Sequence, residues 1–404
     1  MKTFLLLYRS PLQALFLVLV LWSCAPTSEQ AQEKVFRVNL GTEPPSLDWS
    51  LATDHVSFNV IVNLMVGLTE FDRNLRPAPM LAKSWEIHDN GRKIIFRLRD
   101  DVLWSDGKIV RAQDFEYSWK RLLNPSTASE YAYILYDIIN AEPYNQGKIT
   151  DPALLGVRAL DDWTLEVRLK HPASYFLAIT TFEVTFPQRR DIVEKFGNRW
   201  TDVSNIVTNG PYLLEMWKHE NEIRLRANPN FFLGKPSMDR IDMYMINEKS
   251  TALAMYEQGQ IDFIDNRSIP IFDKQRLTGL PGFQVVPQLR GYYYGFVTDR
   301  KPFDDVRVRR AFAMAIDRRI FPKILHGGEL PISSWIPPGM IAHDPKIGLP
   351  FNPPKGRRLL AEAGYPNGKG FPEVTLGYNT DETHKMVAEA IQSMWKKNLG
   401  VLVR

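Results

Sequence analysis

The chain of 404 residues carries one cysteine, Cys24. A single thiol cannot close a disulfide within the chain, and any zinc site would have to do without a second thiolate. Seven histidines are scattered, with no pair at metal spacing on one helix. No HExxH, GxSxG or phosphate-cradling P-loop pattern is present. Residues 364–370 are glycine-rich around Lys369, but the spacing does not match a phosphate cradle and reads as a loop after a helix. Hydrolysis would need a Ser, His and Asp gathered from distant parts of the chain. No cofactor and no metal are expected.

Lys+Arg number 50 and Asp+Glu 46, for a net charge of +4. The imbalance is mild and has no concentrated basic run, which argues against nucleic acid as a partner. With 44% hydrophobic and 24% charged residues the composition is that of a globular protein. Ten Trp and 15 Tyr fit a large core or a cavity lined by aromatic rings.

Lys2 and Arg9 precede a nearly unbroken apolar run over residues 12–22. The run is too short to span a membrane and suits a signal-peptide core. It ends in Leu21-Trp22-Ser23-Cys24, which resembles a lipobox. That resemblance implies cleavage before Cys24 and acylation of its thiol, palmitate included. The alternatives are a simple secretory signal with an incidental Cys and a short anchor helix. Residues 24–34 are small and polar, as a flexible tether would be. The expected location is the bacterial cell envelope, lipid-anchored outside the cytoplasm.

The body shows no fixed-period repeat, and strands and helices alternate irregularly, which predicts a mixed α/β organisation. Residues 35–40 read as a first strand, and residues 57–68 as a helix with Val60, Leu64 and Leu68 four apart. A hairpin is predicted around Asp89-Asn90-Gly91, with Ile94, Phe96 and Leu98 on one face. Residues 112–123 predict a helix burying Phe115, Trp119 and Leu122, and residues 163–169 an alternating strand. Strands are predicted at 223–227 and 241–246, and a helix at 250–258. A helix begins at Asp304-Asp305 with Val308, Phe312, Ile316 and Ile320 on one stripe, to be ended or kinked at Pro322. Helices are also expected at 357–363 and 384–398, and a strand at 401–404.

Several blocks resemble the extracellular solute-binding protein family 5, the oligopeptide and dipeptide carriers of bacterial ABC importers. They are Glu43-Pro44-Pro45-Ser46-Leu47-Asp48, Pro79-Met80-Leu81-Ala82-Lys83-Ser84-Trp85, Trp104-Ser105-Asp106-Gly107, Ala112-Gln113-Asp114-Phe115-Glu116-Tyr117-Ser118-Trp119, Thr208-Asn209-Gly210-Pro211-Tyr212 and Tyr292-Tyr293-Tyr294. Pro302-Phe303-Asp304-Asp305-Val306-Arg307 and Leu359-Leu360-Ala361-Glu362-Ala363-Gly364-Tyr365 continue the series in order. Arg111 stands where the family prefers Thr or Ser, so the helix after it would lack an accepting cap.

The resemblance implies a periplasmic binding protein of type II. Residues 35–66 and 190–288 would form lobe I, 67–189 a small domain inserted in it, and 289–404 a partial lobe II. The family continues beyond the position of Arg404, so a C-terminal truncation is expected. The implied function is a monomeric, non-enzymatic clamp that grips a short peptide by its main chain between two lobes and delivers it to a permease and ATPase complex. Thr53, Asp54 and His55 would offer backbone groups to the peptide, against a polar loop before a helix. Tyr131 and Tyr293 would border the pocket, with Tyr292 and Tyr294 on the opposite, core face. Asn266 is a further candidate. His384 and His326 would meet a peptide carboxylate, against ordinary surface positions. Rival readings are the same fold holding a nickel chelate, heme or sugar, a peptide-sensing protein, and a secreted hydrolase.

Overall fold

The computed structural model describes residues 33–340 and 342–404. The expected signal segment, Cys24 and most of the expected tether lie outside them. Two compact units form among the described residues: 33–246 together with 259–263, and 247–258 together with 264–404. Residues 247–258 and 264–288 thus pack with the C-terminal part of the chain, where the sequence had placed all of 190–288 in the first lobe.

The first unit holds a two-stranded antiparallel sheet, β2 (Thr69–Phe71) with β3 (Pro77–Pro79), and two four-stranded sheets. In one, β1 (Val35–Asn39) runs parallel to β10 (Arg240–Tyr244), beside which lie antiparallel β9 (Glu222–Ala227) and β8 (Tyr212–Lys218). In the other, β4 (Ala82–His88), β5 (Lys93–Leu98), β7 (Thr164–Arg168) and β6 (Val157–Asp161) are antiparallel. The β4–β5 turn takes Asp89, Asn90 and Gly91 through positive φ, conformations that Asn, Asp and Gly accept most readily. Ile94, Phe96 and Leu98 are buried on one face of this strand; on the other Ile95 is buried as well and Arg97 is exposed.

Helix Ala112–Leu123 packs Phe115, Trp119 and Leu122 into the core of this unit, each contributing about 1.5–3 kcal/mol on burial. Arg111 has no acceptor atom to cap it. The other half of the capping box forms: Asp114 Oδ2 accepts from Arg111 N at 2.9 Å and also from Trp104 Nε1 at 3.0 Å. Desolvation pushes the Asp114 carboxyl up, and these bonds oppose it.

Helix His55–Leu64 is shorter than its apolar stripe. Leu68 is buried but lies outside it. Asn209 explains the stop: its Oδ1 accepts Val66 N at 3.0 Å, while Gly210 N donates to Leu64 O at 2.8 Å. A long-range partner takes the backbone groups that another helical turn would need.

The second unit is built on helices Lys249–Glu257, Val306–Met314, Pro353–Glu362 and Glu382–Leu399. Phe312, Leu360, Ile391 and Trp395 belong to its core. Asp305 caps the second of these helices, but it ends at Met314, before Ile316 and Ile320. Its last carbonyls bond elsewhere: Trp395 Nε1 donates to Phe312 O at 3.0 Å, Asn352 N to Met314 O at 2.8 Å and Asn398 Nδ2 to Ala315 O at 2.8 Å. Pro322 accordingly sits in the first turn of a new helix, Phe321–Leu325, where its missing N–H is harmless. Residues 401–404 form no regular strand, although Arg404 N donates to Val374 O and Leu376 N to Arg404 O at 2.9 and 2.7 Å.

Candidate ligand-binding site

Within the first unit, residues 48–55 are held from below by a buried ionic network. Asp48 is 6% exposed. Its carboxylate takes a bidentate pair from Arg121, Nη1 at 2.8 Å and Nη2 at 2.5 Å, and further bonds from Trp200 Nε1 and Ser50 N, both at 3.0 Å. Gln188 links the network to Ser50 Oγ at 3.0 Å, and Trp49 meets Trp200 edge-on at 4.7 Å. A carboxylate removed from water in this way requires such a full set of donors. The backbone N–H groups of Leu51 and Ala52 also bond to Asp48 O, each at 2.8 Å.

Thr53 and His55 emerge exposed from this base. Asp54 caps the helix that begins at His55: Oδ1 accepts Ser57 N at 2.9 Å and Oδ2 accepts Ser57 Oγ at 2.8 Å. Tyr131 reaches the same place. Its hydroxyl donates a long 3.5 Å bond to Thr53 O, and its ring meets Phe182 edge-on at 5.3 Å and Phe58 at 6.2 Å. Desolvation first, then the neighbouring Tyr133, Glu130, Asp54 and Glu183, pushes the Tyr131 phenol up. The structure therefore brings Thr53, Asp54 and Tyr131 together beside an aromatic cluster.

The segment carrying Phe182 is pinned from the core. Trp49 Nε1 and Ser118 Oγ both donate to Phe186 O, at 3.1 and 2.6 Å, and Trp119 Nε1 donates to Thr185 O at 2.7 Å.

In the second unit His384 stacks on Tyr292, with ring centroids 4.9 Å apart and planes at 22°. Its Nδ1 shares a short hydrogen bond with Asn379 Oδ1. Asp381 caps this helix, accepting from Thr383 N at 2.8 Å and His384 N at 3.1 Å, and Lys249 Nζ binds its other oxygen at 2.8 Å. Burial pulls the Asp381 carboxyl up, but the bonds from Lys249 and His384 N outweigh it and the net shift is down.

Tyr292 is 58% exposed, which corrects its expected core position. The backbone around 292–294 forms no strand, so alternation does not apply. Tyr293 is exposed and packs on Trp335 at 4.6 Å. Tyr294 packs on the core, its hydroxyl buried without a hydrogen-bond partner among the described residues; burial raises its pKa.

Asn266 lies exposed in a turn capped by Asp265. His326 is exposed in the left-handed conformation that ends helix Phe321–Leu325. Among the described residues no hydrogen bond or ring contact joins Asn266, Tyr293 or His326 to His384. No group of three or more His, Cys, Asp or Glu among them is placed to hold a metal ion. None of the described helices is long and apolar enough to cross a membrane.

The candidate groups on this α/β body are a backbone carbonyl, aromatic rings and a histidine. The family model of bacterial extracellular solute-binding proteins, family 5, matches residues 76–404. The periplasmic oligopeptide-binding protein OppA of Salmonella typhimurium is 38% identical over 391 residues, covering 94% of this chain and 71% of that protein. The probable deoxycholate-binding periplasmic protein YgiS of Escherichia coli is 32% identical, over 92% of this chain and 70% of its own length. Among solved structures, the murein tripeptide-binding protein MppA of Escherichia coli superposes with a TM-score of 0.84 at 35% identity, covering 93% of this chain and 75% of that one. The chain belongs to the family 5 bacterial extracellular solute-binding proteins, and its fold is that of a type II periplasmic binding protein.

Proposed function

We propose that this chain captures short peptides outside the bacterial cytoplasm and passes them to an ABC permease and ATPase, making and breaking no bond. One observation carries the reading: 38% identity to an oligopeptide-binding protein over 94% of the chain. The local geometry is compatible with it. Thr53 offers a backbone carbonyl beside the Tyr131 hydroxyl, and a peptide main chain needs such groups along its length. In the second unit the His384 imidazole, held by Asn379 and Tyr292, suits a carboxylate. In this reading two lobes close on the peptide, and Cys24 carries the lipid that keeps the monomer at the membrane.

Thermal-shift measurements with tri- to pentapeptides test the ligand class. A rise in Tm with peptide concentration is expected, since a ligand bound only by the folded state stabilises it. The 32% identity to a probable deoxycholate-binding protein supports a second reading, a non-peptide ligand. A shift with deoxycholate and with none of the peptides would favour it.

A further inference from the structure

The second unit carries a cavity of about 350 Å³ that the peptide reading does not use. Its walls come from residues 316–319, 331–333 and 350–351. The backbone ties these segments in place. Leu349 N donates to Ser333 O at 3.3 Å, and Asn352 N to Met314 O at 2.8 Å. Ile316, Ile332 and Phe351 give the walls an apolar surface. The volume lies at the lower end of the range for small-molecule sites, about 300–1,000 Å³.

Charge in the walls is unevenly paired. Asp317 and Arg319 satisfy each other: Arg319 Nε and Nη2 donate to Asp317 Oδ1 and Oδ2, both at 2.8 Å, and Arg319 N donates to Oδ1 at 3.1 Å. Arg318 is partly buried, and no carboxylate among the described residues pairs with it. Its Nη1 donates to Ala313 O at 3.4 Å and Leu349 O at 3.3 Å, both long bonds to neutral carbonyls. Nε and Nη2 have no acceptor among the described residues. Burial pulls the Arg318 pKa down, and no nearby acid opposes it. A cation drawn out of water without a counter-ion is disfavoured, so such residues are mostly paired or exposed. The two donors left over matter for their geometry. Nε and Nη2 form one fork of the planar guanidinium, the edge that receives a carboxylate through two parallel bonds.

We infer that this cavity is a second binding site, for a carboxylate on an apolar body. The carboxylate oxygens meet Nε and Nη2 of Arg318, and the hydrocarbon lies against Ile316, Ile332 and Phe351. The inference goes beyond the peptide reading and does not depend on it, since none of the residues proposed to hold peptide lines the cavity.

Calorimetric titration of the protein as the cell makes it, with butanoate, hexanoate and octanoate and no peptide present, tests the site. Saturable binding is expected to tighten by about two- to fourfold with each added CH₂. Hexan-1-ol has a chain without a charge and inorganic phosphate a charge without a chain; each should bind about tenfold more weakly than hexanoate, or worse. Arg318→Gln removes the fork and should weaken hexanoate by about tenfold or more, while Arg318→Lys, which keeps the charge, recovers part of the loss. Ile332→Glu leaves Arg318 in place and puts a negative charge in the wall, so hexanoate binding should be lost there as well; this variant decides the matter if Arg318→Gln does not fold. Equal hexanoate affinity in wild type and Ile332→Glu, or in wild type and a folded Arg318→Gln, overturns the inference. So does the absence of binding by all three carboxylates, or phosphate bound as tightly as octanoate.

Discussion

Replacing Asp48 by Ala is expected to destabilise the first unit by several kcal/mol. The side chains of Asp48 and Arg121 are 9% and 17% exposed and meet through two bonds of 2.8 and 2.5 Å. Removing the carboxylate leaves a guanidinium largely out of water facing no opposite charge, and it also strips the buried Trp200 N–H of its acceptor. Breaking a buried pair at one end costs about 3–5 kcal/mol, because the surviving charge stays desolvated. Urea unfolding monitored by far-ultraviolet circular dichroism reads the loss as a lower transition midpoint. The mechanism makes a second demand. Asp48→Ala combined with Arg121→Met removes the stranded charge, so the double variant should be more stable than Asp48→Ala alone. A loss below about 1 kcal/mol in the single variant, or a double variant whose loss is the sum of the two single losses, would refute the reasoning.

The other expectations concern the same unit. Asp54→Ala removes an N-cap and should cost about 1 kcal/mol, with Asp54→Ser recovering most of it, measured by the same unfolding curves. Gly210→Ala places a Cβ 2.5 Å from Leu64 C and 2.6 Å from Met65 N, backbone atoms that cannot step aside; a loss of about 1–3 kcal/mol or more is expected, and an unchanged Tm would show that the close approach is not there. Asp191 carries the pH signature. The Arg189 guanidinium, at 2.8 and 2.7 Å, holds its carboxyl well below the usual carboxylate range against the opposing effect of burial, with Lys108 at 2.9 Å adding to the pull. A carboxyl with a depressed folded pKa stabilises the fold above its unfolded pKa and ceases to do so as pH falls through the folded one. Asp191→Asn should therefore lower Tm at neutral pH, and the gap to wild type should narrow progressively as the pH falls below the usual carboxylate range. A gap as wide at about pH 2 as at neutral pH would contradict the assignment.

Much of the fold was legible because local signals agreed. In helix Ala112–Leu123 the stripe of Phe115, Trp119 and Leu122 coincides with the segment observed, and the turn at 89–91 uses residues that tolerate positive φ. Reading failed where a distant partner decides. Leu68 continues the stripe of Val60 and Leu64, yet Asn209 and Gly210, far along the chain, end that helix. Ile316 and Ile320 likewise extend a stripe that Trp395, Asn352 and Asn398 interrupt. These are tertiary choices, and periodicity does not record them.

The candidate site divides the same way. Resemblance pointed to Thr53, Asp54 and Tyr131, which the structure gathers, and to His384, for which it supplies Tyr292 as a partner. Alternation had put Tyr292 in the core, a rule that holds only in a strand. The Trp-Ser-Asp-Gly and Asn-Gly-Pro-Tyr blocks turn out to knit the first unit together. Ser105 N donates to Thr208 O at 2.7 Å, and Arg189 binds Asp106.

The central claim, reversible capture of intact peptide, is tested most directly by calorimetric titration with tri- to pentapeptides and then mass spectrometry of the recovered ligand. The account predicts saturable one-to-one binding and recovery of every peptide at its original mass. Peptides returned as fragments, or no peptide bound while deoxycholate binds, would contradict it.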